Sequence, residues 1–163
     1  MPQLSCHTPL GDLTVSEQDG CIVALDWGWG RDQTPTALLC RARDLLGAYF
    51  DAAPVAFDLP LAPSGTPYRR RVWDALRQIP AGQTRSYGEI ARIVGGCARA
   101  VGAANAVNPI PILIPCHRVV AATGLGGYSG GDGLATKRAL LDLEAHALAR
   151  HPALAATTVT EHP

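Results

Sequence analysis

A chain of 163 residues, 47% apolar and 17% charged, carries enough apolar material for a buried core and too little charge for disorder to dominate. Its formal charge is zero, so the net balance gives no sign of a polyanionic partner, and no apolar run approaches the length of a membrane span. Five cysteines without a C-x-x-C pair indicate neither a disulfide framework nor a zinc ribbon, and with no basic-then-apolar leader they point to a reducing cytoplasm.

In chain order, Leu13-Thr-Val15 and Cys21 to Trp27, separated by Gln18-Asp-Gly20, predict a β-hairpin. From Thr36 to Ala52, Leu38, Ala42, Leu45, Leu46, Tyr49 and Phe50 recur at helical spacing, so this segment is expected to bury one face. Pro54, Pro60, Pro63 and Gly65 then punctuate the chain, and a lobe boundary is placed near Pro63-Ser-Gly65. Thr66 is a candidate cap with Pro67 at the first helical position of a helix carrying Val72, Trp73 and Leu76. Ser86-Tyr-Gly-Glu89 is a capping box for a short helix ending at Gly95-Gly96. A third helix, Ala98 to about Val107, is rich in small residues and stops at Asn108-Pro109. Two short helices joined by a glycine turn form a helix-turn-helix hairpin. Ile110 to Val120, β-branched and interrupted by prolines, is expected to be extended. Leu134 to about Ala149 reads as a last helix and the tail from His151 as loose.

Charge is unevenly distributed. Residues 1–63 hold three Lys/Arg against eight Asp/Glu, whereas residues 64–163 hold eleven against six. Any phosphate-facing surface is therefore expected in the second part, although a solvated helical face would account for the same arginines. The chemistry-bearing segment is Pro111 to Val120, in which Cys116 stands beside His117. A thiol reacts as thiolate and needs a base or positive charge nearby. Neighbours on a strand point to opposite faces, so contact between these two side chains would require a turn or a bridging water; a buried, inert cysteine is the alternative.

Pro115-Cys116-His117-Arg118-Val119 resembles the active-site motif of the O(6)-alkylguanine-DNA alkyltransferases. The similarity extends from about Gly65 to Glu144 through Gly65-Thr-Pro, Val72-Trp73, Ser86-Tyr87-Gly88-Glu89, Ala98 to Gly102, Asn108-Pro109, Tyr128 and Lys137 to Leu141. The first lobe is similar only in outline, through Thr8-Pro-Leu-Gly11 and a strand pair.

The resemblance implies an α+β fold: an N-terminal ribonuclease-H-like α/β lobe (1–63), a mainly helical, winged-helix-like catalytic and DNA-binding lobe (64–150), and a tail (151–163). It implies direct reversal of DNA damage, with the alkyl group of O(6)-alkylguanine moved irreversibly to Cys116 in one turnover; O(4)-alkylthymine is a further candidate substrate. His117 would take the thiol proton through a water, Glu144 would fix the His117 tautomer, and Asn108 would tie the recognition helix to the Cys116 segment. Tyr87 would donate to guanine N3, the Ser129 amide to the departing oxygen, and the Val119 carbonyl would meet the exocyclic amine, with Tyr128 beside the substrate. Arg99 would fill the gap left by the flipped nucleotide, and Ala98, Ala100, Gly102 and Ala103 would let the helix approach the minor groove closely. Double-stranded DNA is the expected partner of a monomer, and no cofactor, metal or membrane is expected. The loop Gly130-Gly-Asp-Gly-Leu134 looks about two residues longer than the family pattern, which puts the lid of the pocket and Ser129 in question.

Overall fold

The structure, a computed structural model, describes residues 1–151. Three strands open the chain: β1 (Gln3–Cys6), β2 (Leu13–Gln18) and β3 (Cys21–Trp27), antiparallel in the order β1-β2-β3. The predicted hairpin is β2-β3, turned by Asp19 and Gly20, both at positive φ (53° and 78°) as a tight two-residue turn requires. β1 is an addition to the predicted elements, since Gln3–Cys6 is too short to show an alternation. Leu13, Val15, Ile22 and Leu25 are buried against α1 (Ala37–Phe50), whose face contributes Leu39, Ala42, Leu46 and Tyr49. The Thr36 hydroxyl accepts from the Leu39 amide and caps this helix.

The second lobe is helical. α2 (Pro67–Leu76) has Thr66 as its cap and Pro67 in its first turn, as expected, and buries Val72, Trp73 and Leu76. α3 (Tyr87–Val94) is capped by Ser86, whose hydroxyl accepts from the Glu89 amide at 3.0 Å. α4 (Ala98–Ala106) comes after Gly95 and Gly96, both at positive φ, which lets the chain reverse within three residues. The Trp73 indole donates to the Ala104 carbonyl (3.0 Å), pinning α4 to α2. Strands β4 (Arg85–Ser86) and β5 (Val119–Val120) pair in parallel, and α5 (Leu134–Arg150) closes the lobe.

The segment 110–120 departs from the extended expectation. Pro111 and Pro115 remove two backbone donors and Ile112 sits at φ 73°, so the chain winds irregularly and forms a 3-10 turn over Cys116–Arg118 before β5. Only Val119 and Val120 are strand. The edge of the first lobe reaches this segment directly: the Leu25 amide donates to the Pro109 carbonyl at 2.9 Å. The expected loose tail lies, apart from His151, outside the described residues. Among the described residues, no helix is long and apolar enough to cross a membrane.

Candidate active site

The 3-10 turn resolves the geometric difficulty posed by adjacent cysteine and histidine. In such a turn successive residues are about 120° apart rather than opposed, so Cys116 and His117 project into different parts of one buried environment. Cys116 is 7% exposed and His117 and Glu144 are essentially inaccessible. His117 Nε2 lies 2.7 Å from Glu144 Oε2. Glu144 is an acceptor, so Nε2 carries the hydrogen and Nδ1 keeps its lone pair; Nδ1 is buried and finds no partner among the described residues.

Glu144 is held from several sides. Arg118 meets it as a fork, Nε to Oε1 and Nη2 to Oε2, both at 2.9 Å, while Nη1 donates to the Ile79 carbonyl at 2.7 Å. The Tyr49 hydroxyl donates to Oε2 at 2.6 Å. Burial alone would raise the Glu144 pKa, yet the His117 and Arg118 contacts outweigh it and hold the carboxyl well below the usual carboxylate range. His117 is pushed below its ordinary value by burial, against the pull of Glu144, so it is neutral at pH 7 and able to accept a proton. Burial pushes the Cys116 thiol up; the Asn108 side chain and the Lys137 charge pull the other way. The resting sulfur is therefore a thiol.

Asn108 joins two stretches of backbone, donating through Nδ2 to the Ile114 carbonyl (2.9 Å) and accepting through Oδ1 from the Ile110 amide (3.0 Å). It thereby fixes the end of α4 to the chain entering the Cys116 turn. Lys137 is fully buried. Its ammonium donates to the carbonyls of Val119 (2.6 Å), Leu125 (2.5 Å) and Gly127 (3.1 Å) and lies 5.8 Å from the centre of the Tyr87 ring. One lysine thus gathers β5 and the loop carrying Tyr128 around the site.

Cys116 lines an open cavity of about 670 Å³. Of the residues singled out in the sequence, Tyr87, Ala98, Arg99, Gly102, Tyr128 and Ser129 line it with Cys116; Asn105, Ala106 and Gly127 complete it. Ala100 and Ala103 do not line it, although Ala103 is exposed on the same helix. Val119 is fully buried, and the carbonyl expected to meet substrate already accepts from Lys137. The Tyr87 hydroxyl is packed against Gly126, where a Cβ would come within 2.7 Å of it and where φ is 74°. Burial raises the Tyr87 pKa, which keeps the hydroxyl a donor. In the loop leading into α5, Gly131 and Gly133 both take positive φ, and the Asp132 amide donates to Thr136 at the start of α5.

Arg118, Lys137, Asn105 and Tyr49 are functional neighbours that sequence reasoning does not single out. Arg118 and Lys137 stand inside the motifs that carry the resemblance, so the signal is present. Tyr49 gives none: it fits the buried face of α1, and its partner is 95 residues away.

Fold and site together define an α+β protein with a buried cysteine–histidine–glutamate array opening beside a helix-turn-helix hairpin. A family model described as "6-O-methylguanine DNA methyltransferase, DNA binding domain" matches residues 67–146. The chain is 45% identical over 150 residues to a methylated-DNA–protein-cysteine methyltransferase of Mycolicibacterium paratuberculosis, covering 84% of this chain and 88% of the relative. It is 39% identical over 154 residues to the constitutive enzyme of that name from Bacillus subtilis (86% and 93% covered). Its fold matches the crystal structure of Mycobacterium tuberculosis OGT in complex with DNA with a TM-score of 0.81 at 40% identity, over 90% of this chain and 94% of that one. The chain belongs to the methylated-DNA–protein-cysteine methyltransferase family.

Proposed function

We propose that Cys116 is the acceptor atom of this chain and that the cavity above it receives a guanine turned out of duplex DNA. The chain is a methylated-DNA–protein-cysteine methyltransferase and repairs DNA by direct damage reversal. The observation carrying the residue assignment is the orientation of His117: with Nε2–H given to Glu144, the buried Nδ1 is left as a base beside the Cys116 turn.

The thiol proton passes to His117 Nδ1 through a water, and Glu144 stabilises the resulting imidazolium. The thiolate attacks the alkyl carbon; an S–C bond forms, the C–O bond breaks, and its electron pair goes to the guanine oxygen. Tyr87 donates to the ring nitrogen N3 and the Ser129 amide to the released oxygen, offsetting charge as it develops. Tyr128 borders the base, and the Val119 carbonyl reaches the exocyclic amine through its second lone pair while keeping Lys137. Asn108 acts as the brace between α4 and the nucleophile. A thioether is a poor leaving group, so each chain acts once.

Arg99 occupies the place of the extruded nucleotide, and α4 enters the minor groove. A methyl added at Gly102 would meet the Tyr87 ring only at 3.9 Å, an ordinary contact. Internal packing therefore does not demand glycine there, and close approach to DNA does. Ala98, Ala100 and Ala103 present the same low profile. Residues 1–63 and 64–150 are the two domains of a cytoplasmic monomer, and O(4)-alkylthymine fits the same chemistry as a second substrate.

Intact mass after incubation with duplex DNA containing O(6)-methylguanine tests this. One added methyl, located on Cys116 and absent in Cys116→Ser, is expected. An unmodified protein that binds the duplex would make it a helix-turn-helix binder, and product beyond one equivalent would make it a hydrolase.

A further inference from the structure

Among the described residues Glu144 Oε2 accepts from three groups, His117 Nε2 at 2.7 Å, Arg118 Nη2 at 2.9 Å and the Tyr49 hydroxyl at 2.6 Å, whereas Oε1 accepts only from Arg118 Nε. Two of those donors come from the turn that carries the nucleophile. The third comes from α1, in the N-terminal lobe. We infer that Tyr49 is a positioning residue of alkyl transfer, its hydroxyl tempering the carboxylate that faces His117 and so setting the acid limit of the reaction. This rests on Cys116 being the acceptor and His117 its base.

The placement of Tyr49 is over-determined. Its ring is buried, edge-on to Phe50 (centroids 5.2 Å apart, planes at 88°) and tilted against Phe57 at 5.4 Å. Burial and the neighbouring Glu144 charge keep the phenol protonated far above neutral pH, so it acts only as a donor toward the carboxylate. A phenylalanine would satisfy the packing of α1 equally well. The hydroxyl is there for Glu144, whose two oxygens have no solvent to turn to.

Its effect has a definite sign. The charged and titratable groups around His117 are Glu144 and Lys137 from α5, Arg118 and Cys116 from its own turn, and Tyr49 acting through Glu144; Tyr128 is within electrostatic reach of Tyr49 and Cys116. Each hydrogen bond given to Oε2 draws off carboxylate charge that would otherwise stabilise the imidazolium. Removing the Tyr49 donor strengthens the hold of Glu144 on protonated His117. The neutral imidazole, the form able to take the thiol proton, then becomes scarce at a higher pH.

The test measures single-turnover methyl transfer from a duplex containing O(6)-methylguanine between about pH 5 and 8, together with the NMR titration of His117, for wild type and Tyr49→Phe. In Tyr49→Phe the acid-side midpoint and the His117 titration should both move up by about half a pH unit or more, so that transfer on the acid side is slowed about threefold or more. Incorporation of 3-fluorotyrosine at position 49, a stronger donor of nearly the same shape, should move both down, and it carries the test if Tyr49→Phe does not fold. A rate reduced by one factor at every pH with an unmoved His117 titration would reduce Tyr49 to packing and overturn the inference. A wild-type chain that takes no methyl overturns the transfer reading, and this inference with it.

Discussion

Glu144→Gln separates the two tasks the buried carboxylate performs. Glu144 and Arg118 are both buried (2% and 8% exposed) and joined as a fork by two contacts of 2.9 Å. The substitution leaves the guanidinium in place with the Ile79 carbonyl as its main partner. Breaking a buried pair from one side costs about 3–5 kcal/mol. For a chain of this size that lowers Tm by about 6–20 °C, at about 2–4 °C per kcal/mol. The chemistry suffers by another route. The amide oxygen takes the Oε2 place, where His117, Arg118 and Tyr49 all donate, so Nε2 keeps its hydrogen, but a neutral amide no longer stabilises the imidazolium that the proposed proton transfer to Nδ1 creates. In a serine triad the loss of the orienting carboxylate costs about 10⁴ in rate; a thiol is easier to deprotonate than a hydroxyl, so about 10²–10⁴ is expected here. Thermal unfolding and single-turnover methyl transfer give the two numbers. Adding Arg118→Met to Glu144→Gln removes the stranded cation, so stability should return in part while transfer stays slow. Transfer within about tenfold of wild type in Glu144→Gln, or rate and stability recovering together in the double variant, would refute the separation of roles.

The same geometry sets three further outcomes. Arg99→Ala should slow repair of duplex DNA more than reaction with a free O(6)-alkylated guanine, since Arg99 lines the cavity while the hydrogen bonds that hold His117, Glu144 and Asn108 do not involve it; equal losses on both would remove Arg99 from nucleotide extrusion. Methylation of Cys116, 7% exposed in a packed turn, should destabilise the protein by about 1–3 kcal/mol through overpacking, and an unchanged Tm after reaction would contradict this. Acid should also destabilise the fold. Both His117 and Glu144 have folded-state pKa values below their ordinary ones, so the unfolded chain takes up protons first. The stability they contribute is complete above about pH 6.5, starts to fall as unfolded His117 protonates, and falls further below about pH 4.3 as unfolded Glu144 does. Denaturant unfolding at a series of pH values checks this, and a profile flat from neutral to acid pH would contradict it.

The parts of the site legible in the sequence are those encoded locally. Thr66-Pro67, Ser86 to Glu89 and Gly95-Gly96 mark helix ends by capping and by backbone freedom, both of which act within four residues, and the helix ends lie at those positions. The Cys116 turn reads as extended because β-branched residues dominate Ile110 to Val120, and pattern alone does not show that two prolines and a positive-φ isoleucine prevent a strand from forming. What periodicity does not reveal is which buried polar atoms meet. Tyr49, Arg118 and Lys137 each answer a buried charge or carbonyl contributed by another element.

Those three residues bear on why the Cys116 sulfur is kept protonated. A permanently ionised cysteine in a cavity open to solvent would react with any available electrophile, and a protein that acts once has no second chance. Here burial raises the Cys116 pKa, while the base that can accept its proton is buried and preset by Glu144. Lys137 supplies positive charge toward the sulfur but directs its hydrogen bonds to three carbonyls, which lock the loop bearing Tyr128 and so fix the shape of the entrance. On the proposed mechanism, charge separation within the array is favoured when a group in the cavity accepts the sulfur's electrons at the moment the proton leaves. An alkylated guanine held by Tyr87 and Ser129 would be such a group. On this argument iodoacetamide, a small electrophile that uses none of these contacts, should label exposed Cys97 well before Cys116 at neutral pH, as peptide mass spectrometry would show. Faster labelling of Cys116 would mean that the thiolate forms without substrate and that selectivity lies elsewhere.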